Sequence, residues 1–281
     1  TKITNIFLPA IINREINKIF VKGKLYGEFI IPFDSNGRLA KGYGFSGKVI
    51  DASLNFKKEF NIKNLTAEIK HSKKYKANLF NIKVQKGSAY GFDLSDSNID
   101  LTRENKEIKI NSLLRTRGEF NIIHIKQLFS AINIDTKNFI NLKGIVDFKT
   151  NINFKINKIF KIKNLDYSID GDIPKAEIIF REYKVLKEYL PSYNDEVILK
   201  DTKIKVINKK SSNFIELSGL IKNKDKYDNF KIEEIYDYSK KLFNINGFID
   251  LNNSLVKIAQ LNYNKKNGKK SKISFDINFS P

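Results

Sequence analysis

The sequence predicts a mainly β protein: a long antiparallel, curled sheet of repeated amphipathic strands, open as a groove on its apolar side, with two or three short helices. Three observations predict it. Apolar residues recur with a period of two in several stretches, clusters of Lys, Asn, Ser and Gly separate those stretches, and segments with a helical period are too few to cover the apolar faces.

The first element is helical. In I-F-L-P-A-I-I-N-R-E-I-N-K-I-F, residues 6 to 20, Ile12, Ile16 and Ile19 share one face of a helix over residues 9–20 that starts at Pro9. Arg14 and Glu15 interrupt the apolar run, and a basic n-region and a small-residue cleavage site are lacking, so it does not read as a signal peptide. No run of 18 apolar residues occurs anywhere in the chain.

Next comes K-G-Y-G-F-S-G-K-V, residues 41 to 49, where Gly42, Gly44 and Gly47 spell the G-x-G-x-x-G of a nucleotide loop. Such a loop needs a helix N-terminus behind it to meet the phosphates. Here V-I-D-A-S-L-N-F follows, with no helical face. The lysine strand, H-R-D and D-F-G of a kinase are also missing, and Gly91-Phe92-Asp93 runs in the reverse order. These glycines are therefore expected in a strand, at a bulge or bend.

The alternation itself is clearest in V-D-F-K-T-N-I-N-F-K-I. There Val146, Phe148, Ile152, Phe154 and Ile156 point one way, and Asp147, Lys149, Asn151, Asn153 and Lys155 the other. Ile273, Phe275, Ile277 and Phe279 repeat the pattern against Lys272, Ser274, Asp276 and Asn278. These nine apolar residues are the expected wall of the groove. Shorter alternations run through Leu65, Ala67 and Ile69, through Leu165, Tyr167 and Ile169, and from Leu255 to Tyr263. Two more helices are expected: residues 121–134, with Ile122, Ile125, Leu128, Phe129 and Ile132 on one face, and residues 184–190, which end before Pro191.

An internal echo organises the strands. Gly47 to Leu65 resembles Gly144 to Leu165; both contain N-F-K and close on F-x-I-K-N-L, and G-F-I-D opens again at Gly247. Module repeats are thus expected to start near residues 47, 144 and 247 of a single elongated segment spanning 1–281. Thr1 and the absence of Met read as a piece of a longer chain.

Composition limits the chemistry. Lys, Ile and Asn supply roughly four residues in ten. The net charge of +20 is spread along the chain without a dense patch, which argues for solvated strand faces and against nucleic acid. Cys is absent, so disulfides and thiolate metal sites are excluded. His71 and His124 are far apart without ligand spacing; His124 reads as a structural helix residue and His71, in K-H-S-K-K, as part of an exposed turn. Asp170 with Asp172, or Glu233 with Glu234, could form a carboxylate pair or hold calcium, but no further oxygen ligands stand at fixed spacing. No serine sits in a nucleophile elbow. The expectation is a protein that is not an enzyme and needs no cofactor or metal.

A one-sided sheet must bury its apolar face against helices, against another sheet, or by curling. A face left open suits an acyl chain, since each buried CH₂ contributes about 0.8 kcal/mol. The G-x-[IV]-D modules, with the closing L-N-Y-N-K-K-N-G-K-K-S-K-I-S-F-D-I-N-F of residues 261 to 279, resemble the AsmA-like superfamily of Gram-negative bacteria, which includes AsmA, TamB and the most similar type, YhdP. The resemblance implies a periplasmic β-groove that carries phospholipid between inner and outer membrane and has no catalytic residues. It also implies an inner-membrane anchor outside this segment and envelope protein partners. A closed structural or adhesive sandwich and a basic nucleic-acid-binding protein are the alternatives.

Overall fold

A computed structural model describes residues 20–38, 44–56, 60–74, 77–104, 107–131, 139–157, 162–180, 184–191, 195–223 and 226–280. Its strands are β1 (Phe20–Ile30), β2 (Gly44–Phe56), β3 (Phe60–Lys74), β4 (Ala77–Ala89), β5 (Phe92–Asp93), β6 (Asn98–Glu104), β7 (Glu107–Asn121) and β8 (Phe139–Ile156). They continue with β9 (Ile162–Phe180), β10 (Glu196–Lys209), β11 (Ser212–Asn223), β12 (Lys226–Asp237), β13 (Leu242–Asp250), β14 (Val256–Ile258), β15 (Tyr263–Lys265) and β16 (Lys272–Phe279). Two helices, α1 (Ile122–Ala131) and α2 (Lys184–Tyr189), interrupt them. The protein is mainly β, as its period of two requires.

Fourteen strands form one sheet in the order β1-β2-β3-β4-β5-β7-β8-β9-β10-β11-β12-β13-β16, with β6 between β4 and β7, while β14 and β15 make a separate ribbon. Chain neighbours are mostly sheet neighbours, so the sheet is built largely from antiparallel hairpins. The chain divides into two compact units, residues 1–116 with 151–165 and residues 117–150 with 166–281.

In the first unit the register stacks like with like. One face carries the rows Phe29–Phe45–His71–Phe80–Leu101–Ile110 and Gly27–Gly47–Ile69–Ile82–Ile99–Ser112, read strand by strand from β1 to β7. The opposite face carries Ser46–Lys70–Asn81–Asp100–Asn111 and Lys48–Glu68–Lys83–Asn98. Each favourable cross-strand pair contributes about 0.2–1 kcal/mol, and a slip by one residue would exchange the two sets. Val49, Ala52, Leu65, Ala67 and Val84 are the buried cluster of this face, with Leu54, Ile62 and Leu94 packed against them.

Keeping the apolar members on one side requires corrections of phase. Asp51 (φ 49°), Asn64 (φ 53°) and Asp201 (φ 47°) adopt the left-handed conformation, and each coincides with a shift of strand register. One extra residue per bulge moves the next side chain back to the apolar side, and the residue that follows is buried: Ala52, Leu65 and Thr202. Asn and Asp tolerate this region better than other non-glycine residues. The echo F-x-I-K-N-L has the same basis, because Asn164 (φ 51°) repeats the conformation of Asn64.

The second unit has the same two-sided order. Its apolar rows, from β9 to β16, are Ile169–Val206–Ile215–Glu234–Ile245–Ile277 and Gly171–Ile204–Leu217–Ile232–Gly247–Phe275. Tyr167–Asn208–Asn213–Tyr236–Phe243–Phe279 borders them. Behind lies the polar row Asp170–Lys205–Glu216–Glu233–Asn246–Asp276.

The helices follow the sequence where they are described. Asn121 caps α1, its Oδ1 accepting from the Ile123 and His124 amides at 2.9 and 3.1 Å. The helix expected over 9–20 lies outside the described residues except for Phe20, which opens β1 instead of closing a helix. The alternation from Leu255 to Tyr263 is not one strand: β14 is followed by a 3-10 turn over Ala259–Leu261, which Asn262 ends in the left-handed region (φ 46°) before β15 pairs back. His71 is not in an exposed turn. The period of two continues through K-H-S-K-K and buries it in β3, with its ring 4.4 Å from that of Phe80 and Nε2 3.3 Å from Asn78 Oδ1.

Bulge chemistry gives the first test. Asn64→Val places a β-branched side chain in the left-handed region and should cost about 1–2 kcal/mol, read as a lower midpoint in urea, whereas Asn64→Gly should leave the midpoint unchanged or raise it.

Candidate functional site

The three motif glycines do not frame a phosphate site. Gly44 opens β2 and Gly47 lies inside it, while Gly42 is outside the described residues. The Phe45 ring covers Gly27 and Gly47, and a Cβ on Gly47 would stand 2.7 Å from the Tyr26 carbonyl oxygen. Gly144 and Gly247, the other two module starts, are likewise closed in by a neighbouring strand: a Cβ on Gly144 would meet the Lys175 carbonyl oxygen at 2.5 Å, and one on Gly247 would meet Ile232 Cα at 3.0 Å. All three repeat glycines thus share close backbone approach inside the sheet. Gly91 belongs to the tight turn between β4 and β5, where Tyr90 and Gly91 both have positive φ.

The carboxylate pairs are taken apart or turned to the polar side by the strand geometry. Glu233 and Glu234 are consecutive in β12 and so point to opposite faces. Glu233 accepts from Lys231 Nζ at 2.7 Å on the polar side. Asp170 and Asp172 share the polar face, opposite Lys205 and Lys203. His124 is held in α1, where its Nδ1 is buried without a hydrogen-bond partner. Among the described residues no three His, Cys, Asp or Glu side chains converge as a metal site, and no helix is long and apolar enough to cross a membrane.

What remains is the apolar face of each unit, and its exposure is its main property. In the second unit Ile273, Ile277 and Phe279 on β16 are 46, 50 and 42 % exposed, and Phe275 is half-buried opposite Gly247. Phe148 lies over Gly171 on this face, and Val146 is buried beside it. In the first unit Leu25 and Phe29 are exposed, the Phe29 ring standing 4.9 Å from that of Phe45, and Ile152, Phe154 and Ile156 are half-buried. Ser112 Oγ, on the apolar side of β7, donates to the Ile152 carbonyl at 3.4 Å.

Lysines collect on the other side. Lys155 pairs with Glu107 at 3.8 Å, Arg117 with Asp147 at 3.5 Å and Lys231 with Glu216 at 3.7 Å. Lys143 and Lys175 both donate to Glu177, and these bonds, that of Lys143 first, hold its carboxyl below the usual carboxylate range. Lys272 and Asp276 are exposed on the polar side of β16, and the Lys272 ammonium lies 3.5 Å from the centre of the Phe248 ring.

A charged residue stands within the isoleucine rows of the second unit. Glu234 occupies the ladder position between Ile215 and Ile245, flanked along its strand by Ile232 and Tyr236. No hydrogen bond or ion pair reaches its carboxyl from the described residues, and burial among these side chains raises its pKa. Tyr167, Tyr236 and Tyr238 share its face, with Lys226 and Asp228 at the far end of β12. Beside it an aromatic stack runs from Tyr238, edge-on to Tyr236, through Phe243 to Phe279, with Tyr236 and Phe243 4.2 Å apart. Sequence reasoning took Glu234 only as half of an acidic pair; its phase with Ile232 and Tyr236 was the signal that separates it from Glu233.

No family model matches the chain, and neither a curated protein nor a solved structure is significantly similar to it.

Because the pKa of Glu234 is raised on folding, its contribution to stability is fully present below the unfolded value, about pH 4, and is lost as pH rises through the folded value. Glu234→Gln should therefore melt at a higher temperature than wild type at neutral pH, with the difference closing near about pH 4. Partial exposure keeps the effect below about 1 kcal/mol. A variant that melts lower at neutral pH would mean the carboxylate has a stabilising partner.

Proposed function

We propose that the apolar face of each unit binds the acyl chains of phospholipid, and that the chain acts in lipid transport without catalysing a reaction. The observation that carries this reading is the exposure of apolar ladder members that a sealed sandwich would bury, above all Ile273, Ile277 and Phe279 on β16 and Leu25 and Phe29 on β1. Each methylene laid on such a wall contributes about 0.8 kcal/mol, so a chain of ordinary length needs no specific polar contact to be held. The lysine-bearing polar side keeps the same sheet wetted.

Together with the resemblance to AsmA-like proteins, this reading puts the chain in the periplasm of a Gram-negative bacterium. It would be tethered to the inner membrane and carry phospholipid toward the outer one. The spread of lysines over strand faces instead of one patch speaks against a nucleic-acid partner.

The two faces separate the outcomes. A photo-crosslinking residue at Phe154 or Phe275 should capture phospholipid in cells, and one at Lys155 or Lys272 should not. Phe154→Asp, which puts a charge in the path of the chains, should abolish lipid transfer while lowering the melting temperature by only a few degrees, because an open wall lets the carboxylate reach water. Equal capture from both faces would remove the amphipathic basis of the proposal. No capture, combined with unfolding on Phe154→Asp, would indicate a closed core.

A further inference from the structure

We propose that Glu234, Asn213 and the Tyr236 ring form a site for a primary ammonium group, the terminal amine of an aminoethyl phospholipid headgroup. The inference rests on the lipid-binding reading of this face and adds to it a preference among lipids.

The argument starts from hydrogen-bond accounting. Asn213 and Tyr236 are directly opposite in the β11–β12 ladder, and Ile215 and Glu234 form the next pair on the same face, so Glu234 and Asn213 are diagonal neighbours within reach of their side chains. Asn213 Oδ1 is buried and has no hydrogen-bond partner. The Glu234 carboxyl, as shown above, has none either. An ionised carboxylate and an amide oxygen are both acceptors, so neither satisfies the other. A buried acceptor left without a donor is costly, which makes two adjacent ones in a well-ordered ladder a feature that calls for a donor from outside.

The donor's chemistry follows from the surroundings. The lysines of the neighbouring ladder positions, Lys205, Lys209 and Lys231, pair with Glu216, Ser212 and Ser218 on the polar side, so among the described residues no cation stands at these ladder positions. A ligand with a positive charge and several N–H groups would satisfy both acceptors, and the stacked Tyr236 and Phe243 rings add an electron-rich surface for it. A primary ammonium has three such N–H groups; a quaternary ammonium has none and could use only the rings. The position also suits a headgroup, because the site lies where the isoleucine rows end and the Tyr–Asn–Phe row begins.

The test is lipid capture by the full chain from vesicles holding equal amounts of phosphatidylethanolamine and phosphatidylcholine, with the bound lipid identified by mass. Wild type should be enriched in the ethanolamine lipid by about tenfold, the worth of one good charge-assisted hydrogen bond at a half-exposed site. Glu234→Gln should bring the ratio near one and Asn213→Leu should reduce it, while Glu233→Gln on the polar face should leave it as in wild type. Free ethanolamine distinguishes a lipid headgroup from a soluble amine. A thermal shift that Glu234→Gln abolishes, without enrichment of the ethanolamine lipid, would keep the ammonium site and assign it to a soluble amine. Capture of both lipids in equal amounts, with no response to free ethanolamine, would overturn the ammonium site and leave the lipid-binding face standing. Capture of neither lipid, again without that response, would overturn both.

Discussion

The structure depends on phase. A sheet with one apolar and one polar side exists only if every strand delivers its apolar residues to the same side as its neighbours, and a side-chain period of two leaves no tolerance for a slip. The strands here run from 2 to 19 residues, and several are too long for simple alternation to hold throughout. Left-handed Asp51, Asn64 and Asp201 absorb the mismatch by inserting one residue each. Without them Ala52, Leu65 and Thr202 would turn to water, and their polar neighbours would enter the buried side.

The same constraint governs the charge. A net charge of +20 would repel strongly if it gathered in one place, but the ladder disperses it over the polar faces and interleaves it with Glu, Asp and Asn. Exposed pairs of this kind contribute little individually, about 0–1 kcal/mol each. Among the described residues no lysine stands beside Glu234 on the apolar side, and burial there raises the pKa of its carboxyl.

Glycine placement reflects the sheet as well. Gly47, Gly144 and Gly247 recur at the module starts because neighbouring backbone or a Phe ring stands where a Cβ would be. A spacing that imitates a nucleotide loop therefore arises from strand packing, and the Phe45 ring over Gly27 and Gly47 is its local cause.

The sequence by itself determined the β class, the two faces of β8 and β16, the helices α1 and α2, and the separation of Lys155 and Lys272 from Phe154 and Phe275. These follow from periodicity, which is a local property of the chain. It misread His71 as a turn residue because three flanking lysines masked the apolar phase, and it read one strand from Leu255 to Tyr263 because alternation cannot reveal a turn that depends on the left-handed Asn262. Only the tertiary structure decided which residues stand opposite one another. Register places Glu234 between Ile215 and Ile245 and sets it diagonal to Asn213, and register depends on bulges and hairpins distant in sequence. Exposure is likewise non-local: Phe230 and Ile273 lie in one row of the same face, yet the first is buried on the inner strand β12 and the second is open on the edge strand β16.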